Sequence, residues 1–116
     1  MSPDTLTLTF SALADPTRRQ IIALLHERPR LVGELTELLK ISQPGVSKQL
    51  RVLREAGLVR VRKEAQRHWY ELNPEPLLEL DTWLESYRHL WAERFDRLDN
   101  LLQQLQTKEN NNDPNE

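Results

Sequence analysis

The chain has 116 residues, 38% of them hydrophobic, with 16 Lys+Arg against 18 Asp+Glu and a formal charge of −2. That length suits one domain, since domains run to about 100–150 residues, and a chain of this size buries enough surface to fold without a covalent staple. It contains no cysteine, which excludes a disulfide framework, a thiolate metal site and a cysteine nucleophile. The longest unbroken apolar run, Ile21 to Leu25, falls far short of the ~20 residues of a membrane helix. Met1 to Thr5 offers neither the positive region nor the apolar run of an export signal. The expectation is a soluble, cytoplasmic chain with no membrane partner.

Thr5 to Ala14, with Leu6, Leu8, Phe10 and Leu13, reads as a short first helix. Asp15-Pro16-Thr17 starts a second: Asp15 caps it, and Pro16 sits where a backbone donor would be unpaired anyway. This helix runs through Arg18 to Glu27 with Ile21, Ile22, Leu24 and Leu25 on its core side, and Pro29 stops it. Leu31 to Lys40 is the third, with Leu31, Leu35, Leu38 and Leu39 at helical spacing. After the turn at Ile41-Ser42, Ser42 caps a fourth helix that passes Arg54 and ends at Gly57.

The period then changes. Leu58 to Arg62 and His68 to Leu72 alternate and are rich in β-branched and aromatic residues, so with the link Lys63 to Arg67 they predict a hairpin. Pro74 and Pro76 open a long last helix from about Glu75 to Gln106, and Thr107 to Glu116 is expected to be a disordered tail. The predicted class is mainly α with one β-hairpin, in the order α-α-α-α-β-β-α, residues 1–106 forming one domain.

The near-neutral total conceals an asymmetry. Residues 40–68 hold eight Lys/Arg (Lys40, Lys48, Arg51, Arg54, Arg60, Arg62, Lys63 and Arg67) against Glu55 and Glu64, a net +6 that leaves −8 for the rest. Because salt confines a charge to its neighbourhood of about 8–10 Å, this local block matters more than the total. It falls on two short helices joined by a tight turn and followed by a hairpin, the layout of a winged helix-turn-helix.

The fourth helix divides into two faces. At about 100° per residue, Leu50, Leu53 and Gly57 lie within about 40° of Val46, while Pro44, Lys48, Arg51 and Glu55 lie opposite, flanked by Gln43 and Ser47. A recognition helix needs this division, with one side to anchor it and the other to enter a major groove about 12 Å wide. Gln pairs with adenine through two hydrogen bonds, Arg or Lys with guanine, and Ser with either. Lys40, Arg54, Arg60, Arg62, Lys63 and Arg67 are better placed on phosphates, which give affinity rather than sequence information.

Three segments, Phe10-Ser11-Ala12-Leu13-Ala14-Asp15-Pro16-Thr17-Arg18-Arg19, Ile41 to Leu50 and Leu53-Arg54-Glu55-Ala56-Gly57-Leu58-Val59, resemble the ArsR/SmtB-type bacterial winged-helix repressors. The likeness spans roughly Phe10 to Leu105. It implies homodimers that bind inverted-repeat operators in double-stranded DNA and usually repress, often at their own promoter. It puts Ser42, Gln43, Ser47, Lys48 and Gln49 on the recognition helix, with Arg51 beside them, and Arg62, Lys63 and Arg67 on the wing. The chain departs from the family pattern at Gly45, where Ala is usual, and at Gln49, where His is usual. It also lacks the metal sensors' cysteine motif on the third helix, here Arg30 to Leu39, and so looks closest to the branch that acts without a metal cofactor.

The last helix fits a heptad frame, with Leu77, Leu84, Trp91, Leu98 and Leu105 at a and Leu80, Tyr87, Arg94 and Leu101 at d. Trp83, Leu90, Phe95 and Leu102 widen the stripe beyond what packing on one small domain requires. A partner helix is expected, and the resemblance makes it the same helix together with the first from a second subunit. Leu6, Phe10, Leu84, Tyr87, Trp91, Leu98 and Leu101 are the predicted dimerisation residues.

Asp81, Glu85, His89 and Glu93 recur every fourth residue. Across a dimer they would suit zinc or a hard metal, yet the family's last-helix metal motif is absent, and Glu93 supporting Arg97 on a solvated face is the plainer account. No metal site is therefore assigned. The alternative function is a ligand- or metal-gated sensor with its effector site on this helix. No glycine-rich phosphate loop, nucleophile beside a base or acidic pair in an apolar setting is present, so an enzyme is not expected.

Overall fold

The structure, a computed structural model, describes residues 4–111. Its elements are α1 (Thr5–Leu13), α2 (Pro16–Glu27), α3 (Val32–Leu39), α4 (Gln43–Glu55), β1 (Val59–Glu64), β2 (Arg67–Leu72) and α5 (Glu75–Asn111). The observed order is the one read from the sequence. The chain divides into two compact units, Met1–Leu80 and Asp81–Glu116.

Side-chain caps set the helix starts. Asp4 accepts the Thr7 N–H at 2.7 Å, Asp15 the Arg18 N–H at 3.0 Å, and Ser42 Oγ the Gly45 N–H at 3.2 Å. Each satisfies a donor that the first turn of a helix leaves unpaired. At the start of α3 the carboxylate of Glu34 reaches back to the Leu31 N–H at 3.2 Å. Helix α4 ends in a Schellman motif: Gly57 adopts φ +79°, its N–H bonds the Arg54 carbonyl, and the Leu58 N–H bonds the Leu53 carbonyl. Glycine takes this left-handed conformation without the Cβ penalty.

The first unit has a closed core of Ala12, Ile21, Leu25, Leu35, Val46, Leu50, Leu53, Ala56, Leu58 and Val59. Ile22 and Leu24 pack against its edge, as do Val32, Leu39 and Leu77. Leu38, at helical spacing with Leu35 on α3, is 51% exposed. At about 100° per residue it stands about 60° from fully buried Leu35, beyond the side of the helix that meets the core.

The hairpin differs from the sequence expectation. The strands are longer and the link shorter: pairing runs from Val59↔Leu72 to Glu64↔Arg67, leaving Ala65 and Gln66 as a two-residue turn. Ala65 takes φ +56°. Arg30 adds an isolated antiparallel bridge to Tyr70, through N–H···O contacts of 2.9 and 2.8 Å. The Arg30 side chain is buried, its Nε donating to the Leu24 carbonyl at 3.1 Å and Nη2 to Glu27 at 2.7 Å. Its charge is thus both paired and hydrogen-bonded, as a buried cation must be.

In the second unit, α5 continues past Gln106 to Asn111. The helix formers Lys108 and Glu109 carry its register into the expected tail, and residues 112–116 lie outside the described ones. Every side chain described from Asp81 onward is exposed. Among the described residues no helix is long and apolar enough to cross a membrane.

Candidate nucleic-acid interface

Helix α4 shows the two faces its sequence prescribes. Val46, Leu50 and Leu53 are fully buried, while Ser42, Gln43, Pro44, Ser47, Lys48, Arg51 and Glu55 are exposed. Burial of one stripe fixes the rotation of the helix, so the polar side faces outward as a consequence of core packing. The C-terminal half continues into the hairpin, where Arg51, Arg54 and Glu55 of α4 line an open cleft of about 620 Å³ with Val59, Arg60 and Val61 of β1. Cationic groups thus run from the helix onto the first strand.

Gln49 stands apart from the other sites predicted on α4. It is half-buried, and its Oε1 accepts a hydrogen bond from Arg18 Nη1 at 2.9 Å. The same guanidinium donates to two carbonyls in the last turn of α1, through Nε to Ala12 at 2.8 Å and Nη2 to Ser11 at 3.2 Å. The sequence reading assigned Arg18 no role. The signal was its place in Asp15-Pro16-Thr17-Arg18-Arg19, one turn into α2, together with the rotation of Gln49 about 60° from the buried stripe.

The wing cations differ in how free they are. Glu71 pairs with Arg60 at 3.1 Å and with Arg62 at 3.6 Å, and Arg62 also reaches Glu64 at 2.7 Å. The hydrogen bond to Glu64 leads the influences that raise the Arg62 guanidinium above its ordinary value, with Glu71 adding to it. Lys63 and Arg67, on either side of the turn, make no ion pair among the described residues, nor do Lys48, Arg51 and Arg54. Glu71 is therefore a functional neighbour that the sequence reading missed.

In the second unit, α5 presents Trp83, Leu84, Tyr87, Leu90, Trp91, Phe95, Leu98, Leu101, Leu102 and Leu105, each exposed by 37% or more. At about 100° per residue they fall within an arc of about 140°, wider than the two-position seam of a simple coiled coil. Trp83 stacks obliquely on Tyr87 with ring centroids 4.9 Å apart, and Arg94 lies over Trp91, 5.6 Å from its ring centroid. Of the remaining residues predicted for dimerisation, Leu6 on α1 is half-buried and Phe10 is 42% exposed.

The carboxylates of the possible ligand face have cationic partners. Arg88 bonds Asp81 at 2.9 Å and Glu85 at 3.1 Å, His89 lies 3.8 Å from Glu85, and Glu93 meets Arg97 at 3.6 Å. Among the described residues no group of three His, Asp or Glu side chains within this single chain is arranged to hold a metal ion.

A capped helix-turn-helix with an outward polar helix and a cationic hairpin defines a winged helix-turn-helix protein of the kind that regulates transcription. Residues 15–61 match the family model described as bacterial regulatory protein, arsR family. The chain is 43% identical over 86 residues to the HTH-type transcriptional regulator Rv2034 of Mycobacterium tuberculosis, covering 74% of this chain and 78% of that one. It is 32% identical over 78 residues to the transcriptional repressor SdpR of Bacillus subtilis, covering 67% and 87%. Its fold is similar to the solution structure of a homodimeric winged helix-turn-helix DNA-binding domain from Mycobacterium bovis, with a TM-score of 0.61 and 26% identity over 78% of this chain and 84% of that one. The chain belongs to the ArsR family of bacterial regulatory proteins.

Proposed function

We propose that two copies of this chain bind an inverted-repeat operator in double-stranded DNA and repress transcription, including from their own promoter, without a metal signal. The division of α4 carries the reading, with Val46, Leu50 and Leu53 buried and a polar, cationic face turned to solvent. Gln43, Ser47, Lys48 and Arg51 then enter the major groove, and Ser42 holds the start of the helix. Lys63 and Arg67 take phosphates from the wing, while Arg62 contributes less because Glu64 and Glu71 already engage it. The name of the Bacillus subtilis relative supports repression, and the homodimeric Mycobacterium bovis domain supports pairing.

Residues 1–106 act as one DNA-binding and dimerisation domain, in which α5 is the pairing element and Leu6 and Phe10 of α1 also take part in pairing. Pairing sets the separation of the two recognition helices, so half-sites lie about one helical turn, 10–10.5 bp, or a multiple of it apart. Fluorescence anisotropy against the upstream DNA and a scrambled duplex, at two salt concentrations with and without a chelator, tests the proposal. Tight binding to the upstream duplex alone, steep in salt and indifferent to chelator, is expected. Equal weak binding to both duplexes contradicts it, and chelator-sensitive binding contradicts metal independence.

A further inference from the structure

Arginine carries five donors and no acceptor, so whatever side-chain group faces it must supply a lone pair. The Arg18 guanidinium is anchored on α1 by the carbonyls of Ala12 and Ser11, and its remaining edge meets Gln49 at 2.9 Å. The amide of Gln49 must therefore turn its oxygen to Arg18. That leaves the NH2 group pointing away from the anchor, without a hydrogen-bond partner among the described residues. Two-bond recognition of adenine requires a glutamine to accept from N6 and donate to N7 together. With its oxygen engaged and oriented by a fixed, planar guanidinium, the amide turns its two NH2 donors outward as the group a ligand meets first. Gln49 is also half-buried at the margin of the outward face of α4, about 100° around the helix from Lys48 and so away from the middle of that face. Phosphate oxygens only accept, matching the group it presents.

We propose that Arg18 fixes the orientation of the Gln49 amide with its NH2 group outward, and that Gln49 donates to a backbone phosphate oxygen instead of reading a base. The proposal rests on the DNA-binding role of α4 and deepens it: Arg18 is a positioning residue, and Gln49 contributes affinity without sequence preference. Sequence reading through two hydrogen bonds falls instead to Gln43, which is exposed and has no side-chain partner among the described residues.

The test is anisotropy with the operator duplex and a panel of single-base-pair variants of it. The proteins compared are wild type, Gln49→Glu, Gln49→Ala, Arg18→Ala and the double alanine variant, with circular dichroism to confirm folding. Gln49→Glu keeps the contact to Arg18 as an ion pair, so it folds, but it turns a carboxylate oxygen toward the phosphate. Its Kd should rise more than about tenfold, as loss of a hydrogen bond to a charged group implies, and by the same factor on every duplex. Gln49→Ala should weaken binding equally across the panel. Arg18→Ala should weaken wild type yet add nothing in the Gln49→Ala background.

Binding by Gln49→Glu within twofold of wild type overturns the proposal. So does a Gln49→Ala penalty that vanishes when one A·T pair is exchanged, which marks a base contact. An Arg18→Ala effect of equal size in both backgrounds assigns Arg18 a merely structural role. Wild type that binds no duplex overturns the DNA-binding reading itself, an outcome distinct from the other three.

Discussion

The first unit and the second spend their apolar residues in opposite ways. Between α1 and the start of α5, Ile21, Leu35, Val46, Leu50, Leu53 and Leu58 are covered by their own chain to 1% exposure or less. From Asp81 onward, aromatic and leucine side chains of comparable size stay between about two and three fifths exposed. Contiguous apolar surface of this extent marks an interaction site. The first unit thus closes a core of its own, whereas the second reads as half of something. A second copy of the chain is the proposed other half.

Substitutions of similar chemistry should therefore have different consequences in the two units. The largest effect belongs to the core: Leu53→Ala should cost about 2–5 kcal/mol of stability, seen as a large drop in thermal midpoint with DNA affinity lost alongside. Trp91→Arg should leave helical content intact and instead raise the dimer dissociation constant by about 30-fold or more, as expected for a buried aromatic anchor. Sedimentation showing an unchanged dimer would remove Trp91 from the interface.

Lys48→Ala touches neither the core nor the α5 stripe. It should cost about 1–3 kcal/mol of specific DNA binding with the thermal midpoint preserved; a lowered midpoint would instead make Lys48 part of the fold. Arg67→Ala should be milder and uniform over sequences, shrinking the slope of log K against log salt by about 0.9 for each phosphate no longer neutralised. An unchanged slope would show that Arg67 meets no phosphate.

The smallest effect concerns Glu34, whose carboxyl is held below the usual glutamate value first by the hydrogen bond from Arg28 and then by that from the Leu31 N–H. A carboxyl lowered on folding adds stability above its unfolded value, and that contribution disappears as pH falls through the lower folded value. Thermal midpoints of wild type should accordingly fall somewhat more than those of Glu34→Gln between about pH 5 and pH 3. Parallel curves would show that the Arg28–Glu34 pair contributes nothing.

Most of the first unit was legible because its signals are local. Asp15-Pro16, Ser42 and Gly57 each act within a few residues of where they stand, and the stripe Val46, Leu50, Leu53 needs only helical periodicity. The hairpin turn escaped for a physical reason. Two-residue turns need a residue at positive φ, usually Gly or Asn, and here Ala65 takes it. Strands ending at Arg62 and resuming at His68 would set those two residues opposite each other. The register instead sets Arg62 opposite Trp69 and Arg60 opposite Glu71, and so brings Glu71 to both arginines.

The Arg30–Tyr70 bridge and the Arg18–Gln49 hydrogen bond join residues 40 and 31 positions apart in sequence. No local pattern announces such pairs. They arise once α2, α4 and β2 have closed on the shared core. The apolar side of α5 was legible from spacing alone, as were the exposed residues of α4.

Sedimentation equilibrium of the protein with a duplex carrying one inverted repeat tests dimeric operator binding most directly, because it counts chains on DNA. Two chains per duplex are expected, in a complex formed by wild type and lost by Trp91→Arg at concentrations where wild type saturates. A saturated complex of one chain per duplex, or one that Trp91→Arg forms as readily as wild type, would contradict it.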